Sequence, residues 1–82
     1  MSKILIIEDE EAIRRVLLKI LSEENPLYQV FEAADGLSGT ELIKREDFDL
    51  VLCDIKMPKM DGVEVLEAAK KIKPEIPIIM IS

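Results

Sequence analysis

Four short apolar runs alternate along the chain with three segments of helical periodicity. The first and third runs are continuous and apolar, the first being rich in β-branched residues, and the fourth is apolar apart from Pro77; such runs are typical of strands in a parallel sheet covered on both faces. The second run alternates apolar with polar residues and predicts a half-exposed edge strand. The predicted strands cover residues 4–7, 28–33, 50–53 and 76–81.

Between these runs, apolar residues recur at spacings of three and four, the period of an amphipathic helix. The predicted helices cover residues 10–24, 37–45 and 63–73. Asn25-Pro26 ends the first helix and Pro74 ends the third, while Asp35 breaks the chain before the second. The order βαβαβαβ with short links favours right-handed crossovers, and therefore an α/β fold with a doubly wound parallel sheet.

Composition limits the classes of protein to consider. The 82 residues fit one domain, 1–82, and 49% hydrophobic with 34% charged residues indicates a soluble globular unit. The net charge of −6 argues against nucleic-acid binding, which needs clustered Lys and Arg. No run approaches membrane-spanning length, and the single cysteine, Cys53, lies in an apolar run, so we expect a buried thiol in a cytoplasmic protein with no membrane contact.

Three carboxylates follow predicted strands. Glu8 and Asp9 come after the first strand and Asp54 after the third, so they converge if these strands are neighbours. Such groups repel by roughly 4 kcal/mol per pair of unit charges at about 4 Å and an effective dielectric near 20, a cost that a cation relieves. Carboxylate oxygens suit Mg²⁺, and a chain without histidine offers nothing typical of softer metals.

Asp54 is the candidate nucleophile, since a carboxylate can attack phosphorus when a metal and hydrogen-bond donors offset the developing charge. The helices predicted to begin near Glu10 and Gly62 would direct backbone N–H groups to the same edge of the sheet. Solvated loop carboxylates without a function remain the alternative, because acidic residues at strand ends are common.

Four segments, taken together and in this order, closely resemble the receiver domains of two-component response regulators. The resemblance spans the whole chain. The segments are Ile7-Glu8-Asp9-Glu10, Leu52-Cys53-Asp54, Met57-Pro58-Lys59-Met60-Asp61-Gly62 and Ile81-Ser82.

The resemblance implies a flavodoxin-like strand order 2-1-3-4 and a Mg²⁺ site. In the family, Glu8 and Asp9 hold the metal together with Asp54 and the backbone carbonyl of Lys56. Asp54 is then phosphorylated by a sensor histidine kinase, and Ser82 is the switch hydroxyl that turns toward the phosphoryl group. The chain itself is expected to be a phosphoacceptor rather than an enzyme.

The chain departs from the family at its C-terminal end. The resemblance is to a truncated domain, because a fifth strand and the last two helices are missing, and the output domain would belong to a full-length parent. We expect the exposed edge of the fourth strand to recruit a second copy, giving a homo-oligomer. The alternative function is therefore a truncated or engineered fragment that self-associates and is not competent for phosphotransfer.

Two other functions are weaker. A phosphatase of the haloacid-dehalogenase kind needs a second acid two residues after the nucleophile, where this chain has Lys56. Nucleotide binding needs a glycine-rich loop around the phosphates, and none of the three glycines forms one.

Overall fold

Helices and strands alternate along residues 2–81, the part of the chain that the computed structural model describes. The strands are β1 (Lys3–Ile7), β2 (Gln29–Ala33), β3 (Leu50–Asp54) and β4 (Ile78–Ile81). The helices are α1 (Glu11–Glu24), α2 (Gly36–Arg45) and α3 (Gly62–Ile72). Each element lies within two residues of its predicted bounds. None of these helices has both the length and the apolar character needed to cross a membrane.

The four strands form one parallel sheet in the order β2-β1-β3-β4. The predicted fold class and strand order are confirmed, and β2 is an edge strand as its alternating pattern indicated. Ile7 at the end of β1 pairs with Ala33 of β2 and Cys53 of β3, and Asp54 pairs with Ile81 of β4. The C-terminal ends of the strands therefore lie along one edge of the sheet.

The core lies on the face of the sheet that α2 and α3 cover. Side chains from β1 and β3 pack there against both helices, and the cluster extends to the links around them. Its fully buried members are Leu5, Ile7, Ile43, Val51, Cys53, Val65 and Ala69. The predicted burial of Cys53 is confirmed, and this burial raises the pKa of its thiol to about 12.

The opposite face of the sheet carries α1 alone. Right-handed crossovers put α1 there, because the chain passes from β1 outward to β2 but from β2 back across the sheet to β3. No residue of α1 is fully buried, and its apolar residues Ile13, Val16 and Ile20 are 41–57% exposed. Ile79 of β4 is 52% exposed. This face is thinly covered.

The fourth strand begins at Ile78, two residues later than predicted. Pro77 has no N–H to give to a sheet, and the N–H of Ile76 donates to the carbonyl of Lys73 (3.1 Å) in a turn. Ile76 is nevertheless buried in the core. The Lys70 ammonium donates to the Ile76 carbonyl (2.6 Å) and so holds this link against α3.

Candidate functional site

Three carboxylates meet at the C-terminal edge of the sheet. Glu8 and Asp9 directly follow β1, and Asp54 is the last residue of β3, so the adjacent parallel strands carry them to the same place. One carboxylate oxygen from each residue lies within 4.8 Å of the others. The convergence expected from the sequence is therefore observed. Glu8, Asp9 and Asp54 are called the acidic cluster below.

Glu8 is the buried member of the acidic cluster, with 2% of its surface exposed. Its backbone N–H donates to the carbonyl of Ala33 (3.1 Å), and its carboxylate accepts the N–H of Glu10 (3.3 Å). Burial, followed by the neighbouring Asp54 carboxylate, raises the pKa of Glu8 to about 7. Without a cation, Glu8 therefore holds its proton to a higher pH than an ordinary glutamate does.

Asp54 is the accessible member at the end of a strand. It is half-buried and borders an open cleft of about 420 Å³. The cleft is lined by Glu8, Glu10, Ile13, Asp54, Lys56 and Ile81. Asp9 is exposed beside it. A small molecule entering the cleft can thus reach the Asp54 carboxylate, while Glu8 lies beneath.

Lys56 and Ser82 are the two remaining predicted site residues. Lys56 is exposed in the loop after β3 and lines the cleft, which agrees with its expected neighbourhood, and the metal contact of its backbone carbonyl stays a prediction. Ser82 directly follows Ile81, the register partner of Asp54, but it lies outside the described residues. Its role as the switch hydroxyl also stays a prediction.

Gly62 lets the loop after β3 return tightly against the strand end. Its N–H donates to the carbonyl of Ile55 (2.8 Å). A Cβ at position 62 would overlap the Asp54 carbonyl oxygen and lie 2.7 Å from the Cα of Ile55. Only glycine permits this approach. The loop therefore fixes the backbone of Asp54 from the side of α3.

Several N–H groups at the start of α3 have acceptors within the protein. The Asp61 carboxylate accepts the N–H of Glu64 (2.9 Å), and the Glu64 carboxylate accepts the N–H of Asp61 (3.1 Å). This capping box, with the Gly62 bond to Ile55, engages the N–H groups of Asp61, Gly62 and Glu64. The sequence carried the signal, an aspartate three residues before a glutamate. Glu10, by contrast, makes no side-chain cap at the start of α1.

Arg14 touches the site although the sequence analysis did not single it out. Its Nη1 donates to the backbone carbonyl of Glu8 (2.8 Å), and its Nε donates to the Glu32 carboxylate on β2 (3.3 Å). The Arg14 side chain is only 15% exposed. Helical periodicity places Arg14 among polar positions like its neighbour Arg15, so only the tertiary structure distinguishes the two.

Comparison with known proteins agrees with this arrangement. Residues 4–82 match the family described as the response regulator receiver domain. Sporulation initiation phosphotransferase F of Bacillus subtilis (strain 168) is 41% identical over 80 residues, which are 98% of this chain and 63% of that protein. The chain thus spans less than two thirds of the length of this curated relative.

Solved structures give the same result. The response regulator receiver domain protein (CheY-like) from Methanospirillum hungatei JF-1 superimposes with a TM-score of 0.90 and 41% identity, over 98% of this chain and 62% of that one. A chain from the complex of histidine kinase ThkA with response regulator protein TrrA gives a TM-score of 0.89 and 35% identity, over 98% of this chain and 67% of that one. The chain therefore belongs to the response regulator receiver domain family.

Proposed function

We propose that Asp54 accepts a phosphoryl group from a sensor histidine kinase, with Mg²⁺ held by Glu8, Asp9, Asp54 and the backbone carbonyl of Lys56. The observation that carries this proposal is the acidic cluster, whose three carboxylate oxygens lie within 4.8 Å of one another at the C-terminal edge of the sheet. The family match over residues 4–82 supports it over the alternative of an associating fragment without phosphotransfer.

The donor set fits a hard divalent cation. Mg²⁺ takes oxygen ligands in octahedral geometry and keeps several waters, so a few carboxylate oxygens beside an open cleft satisfy it. Burial is the first cause of the raised pKa of Glu8 and the neighbouring Asp54 carboxylate the second, so part of the rise reflects repulsion between these two groups. A bound cation relieves that repulsion and neutralises charge on the phosphoryl oxygens.

Both carboxylates line the cleft, but Asp54 rather than Glu8 is the nucleophile in this proposal, because Asp54 is half-buried whereas Glu8 is 2% exposed. One carboxylate oxygen of Asp54 forms a bond to phosphorus as the bond from phosphorus to the donor nitrogen breaks. The electron pair of that bond stays on the nitrogen, and Asp54 becomes an acyl phosphate. The chain acts as a phosphoacceptor and not as an enzyme on a separate substrate.

The test uses a small phosphodonor, so that no kinase is needed. The purified chain is incubated with Mg²⁺ and phosphoramidate, and its intact mass is measured. We expect one added phosphoryl group in the parent chain and none in Asp54→Ala. Asp49→Ala, which removes an aspartate at the opposite end of the same strand, is the matched control and should be modified like the parent. A parent chain that gains no phosphoryl group contradicts the proposal.

The partners follow from the family. We propose that residues 1–82 act as one receiver unit, receive the signal from a histidine kinase in the cytoplasm and pass it to an output domain. The similarity to a chain of the ThkA and TrrA complex supports the kinase as a partner. The negative charge of the chain supports the absence of nucleic-acid contacts from this segment.

We also propose that the chain self-associates through β4. This strand is an edge of the sheet, so the backbone groups on its outer side face no neighbouring strand among residues 2–81. Such an edge beside exposed apolar residues favours pairing with a second copy. The exposed Ile79 lies on this strand, on the same thinly covered face as Ile13 and Val16.

Light scattering at increasing concentration tests this association. We expect a dimer or larger species for the parent chain and a shift to monomer for Ile79→Lys, because a lysine on an edge strand opposes pairing. Val63→Lys is the matched control, since Val63 on α3 is also 52% exposed. A parent chain that remains monomeric contradicts the proposed association and leaves the phosphotransfer proposal untouched.

A further inference from the structure

We propose that Arg14 is a positioning residue that links β2 to the β1–α1 loop and thereby sets the direction of the Glu8 and Asp9 carboxylates toward the metal. This inference rests on the proposed Mg²⁺ site. Arg14 itself contacts neither a metal ligand's carboxylate nor the cleft among the described contacts. Its effect is transmitted through the backbone of Glu8.

The geometry is a bridge across two elements. The guanidinium donates through Nη1 to the Glu8 carbonyl at 2.8 Å and through Nε to the Glu32 carboxylate at 3.3 Å. A guanidinium can serve both acceptors at once because its donors form a rigid planar fork. With a side chain only 15% exposed, Arg14 is held in this position rather than moving freely in solvent.

The bridge fixes the peptide group between the two ligands. The Glu8 carbonyl belongs to the peptide plane that joins Glu8 to Asp9, and the orientation of that plane determines where both side chains leave the backbone. The N–H of Glu8 is already held by the carbonyl of Ala33 on β2. Residues of β2 therefore constrain Glu8 on both sides, through Ala33 directly and through Glu32 by way of Arg14.

A positioning role and a purely electrostatic role predict opposite results. If Arg14 acted only as a positive charge near the acidic cluster, its removal would strengthen Mg²⁺ binding, because a competing cation would be lost. If Arg14 positions the loop, its removal weakens Mg²⁺ binding despite the more negative site. The sign of the change in affinity thus separates the two roles.

The experiment measures Mg²⁺ affinity of the full chain by NMR, following backbone amide shifts as Mg²⁺ alone is titrated. Residues that orient metal ligands contribute about tenfold or more to metal affinity. We therefore expect Arg14→Ala to raise the dissociation constant for Mg²⁺ by about tenfold. Arg14→Lys keeps the charge but not the planar fork and should recover only part of this loss. Arg15→Ala, which removes the adjacent arginine and its exposed pair with Glu11, should stay within about twofold of the parent.

A readout without metal accompanies the titration. Hydrogen exchange of the Asp9 amide, which shares the peptide group that Arg14 holds, should become faster in Arg14→Ala and not in Arg15→Ala. If Arg14→Ala does not fold, Arg14→Lys serves as the test, because it keeps the positive charge, so weaker Mg²⁺ binding in this variant reflects the lost planar fork and not a changed charge.

The outcomes are distinguishable. Folded Arg14→Ala protein that binds Mg²⁺ as tightly as the parent, or more tightly, overturns the positioning role and leaves the Mg²⁺ site in place. Where only Arg14→Lys folds, binding as tight as in the parent does the same. A parent chain that binds no Mg²⁺ overturns the proposed function and this inference together. Weaker binding with partial recovery by lysine supports both.

Discussion

The two faces of the sheet differ in how they are covered. On one face, α2 and α3 pack against β1 and β3, and side chains such as Ile43 and Val65 are completely buried. On the other face, α1 is alone, buries no residue fully and leaves Ile20 56% exposed. One face therefore supplies most of the hydrophobic stabilisation.

The main hydrophobic core and the acidic cluster also lie on different faces of the sheet. Side chains alternate along a strand, so Glu8 continues the line of Ile4 and Ile6 on the α1 face, and Asp54 continues the line of Leu50 and Leu52. The acidic cluster thus belongs to the thinly covered face, where an open cleft admits solvent. The covered face holds the strands in register beneath it.

The largest expected effect comes from matched isoleucines on the two faces. Ile43→Ala on α2 should lower the free energy of unfolding by about 2–5 kcal/mol, because it leaves a cavity in the core. Ile20→Ala on α1 should cost less than about 0.5 kcal/mol, since the side chain is mostly exposed. Urea unfolding followed by circular dichroism measures both.

Ile43→Val is the milder variant if the alanine variant does not fold, with an expected loss of about 0.5–1.5 kcal/mol. Equal losses of unfolding free energy at positions 20 and 43 would contradict the conclusion that one face of the sheet is well covered and the other thinly covered. They would instead indicate that α1 is covered in solution, as it would be in an associated form of the chain.

The next effect is a pH dependence that originates at Glu8. Its folded-state pKa, about 7, lies above its ordinary value of 4.5, so the folded protein binds this proton more tightly than the unfolded chain does. This contribution is fully present below pH 4.5 and is lost as the pH rises through 7. Without metal, the free energy of unfolding should fall by up to about 3 kcal/mol across that interval.

Glu8→Gln removes the titrating proton with little change of shape, and it should flatten this dependence. Saturating Mg²⁺ should flatten it too, because a bound cation keeps Glu8 ionised. Measurements above pH 5 avoid the exposed carboxylates whose pKa is lowered by a basic partner, such as Glu11, Glu46 and Asp47. A Glu8→Gln variant with the same slope as the parent would contradict the assignment.

The smallest effect is a stabilisation by Asp54→Ala. Removing this carboxylate relieves its repulsion with ionised Glu8, and the metal-free protein should gain up to about 1 kcal/mol above pH 7. The same variant should lose the rise in melting temperature that Mg²⁺ gives the parent. A Mg²⁺-dependent rise that is unchanged in Asp54→Ala would place the metal elsewhere.

The sequence predicted the elements because their patterns are local. Apolar runs, the alternation in residues 28–33 and helical spacing located all seven elements within two residues, and Pro74 and Asn25-Pro26 ended two helices near where the structure ends them. The start of β4 was misplaced because Ile76 is apolar and buried yet lies in a turn. A pattern of apolar residues indicates which side chains are buried, but it does not indicate which backbone groups form the hydrogen bonds of the sheet.

The site was predicted in part for a similar reason. The order of Glu8, Asp9 and Asp54 after parallel strands indicated that they converge, since strand order and chain direction alone bring them to one edge. The capping box of Asp61 and Glu64 was readable from their spacing but was not recognised, so the acceptors of these two N–H groups were not predicted. Arg14 carried no local signal at all.

The sequence by itself determined the fold class, the strand order through family resemblance, and the identity of the clustered carboxylates. Tertiary structure decided which carboxylate is buried, and therefore that Glu8 has the raised pKa while Asp54 borders the cleft. It also decided that Arg14, and not Arg15, holds the Glu8 carbonyl. The physical reason is that burial and hydrogen bonding at these positions depend on contacts among β2, β3 and α1. These contacts join residues that are distant along the chain, so no local sequence pattern predicts them.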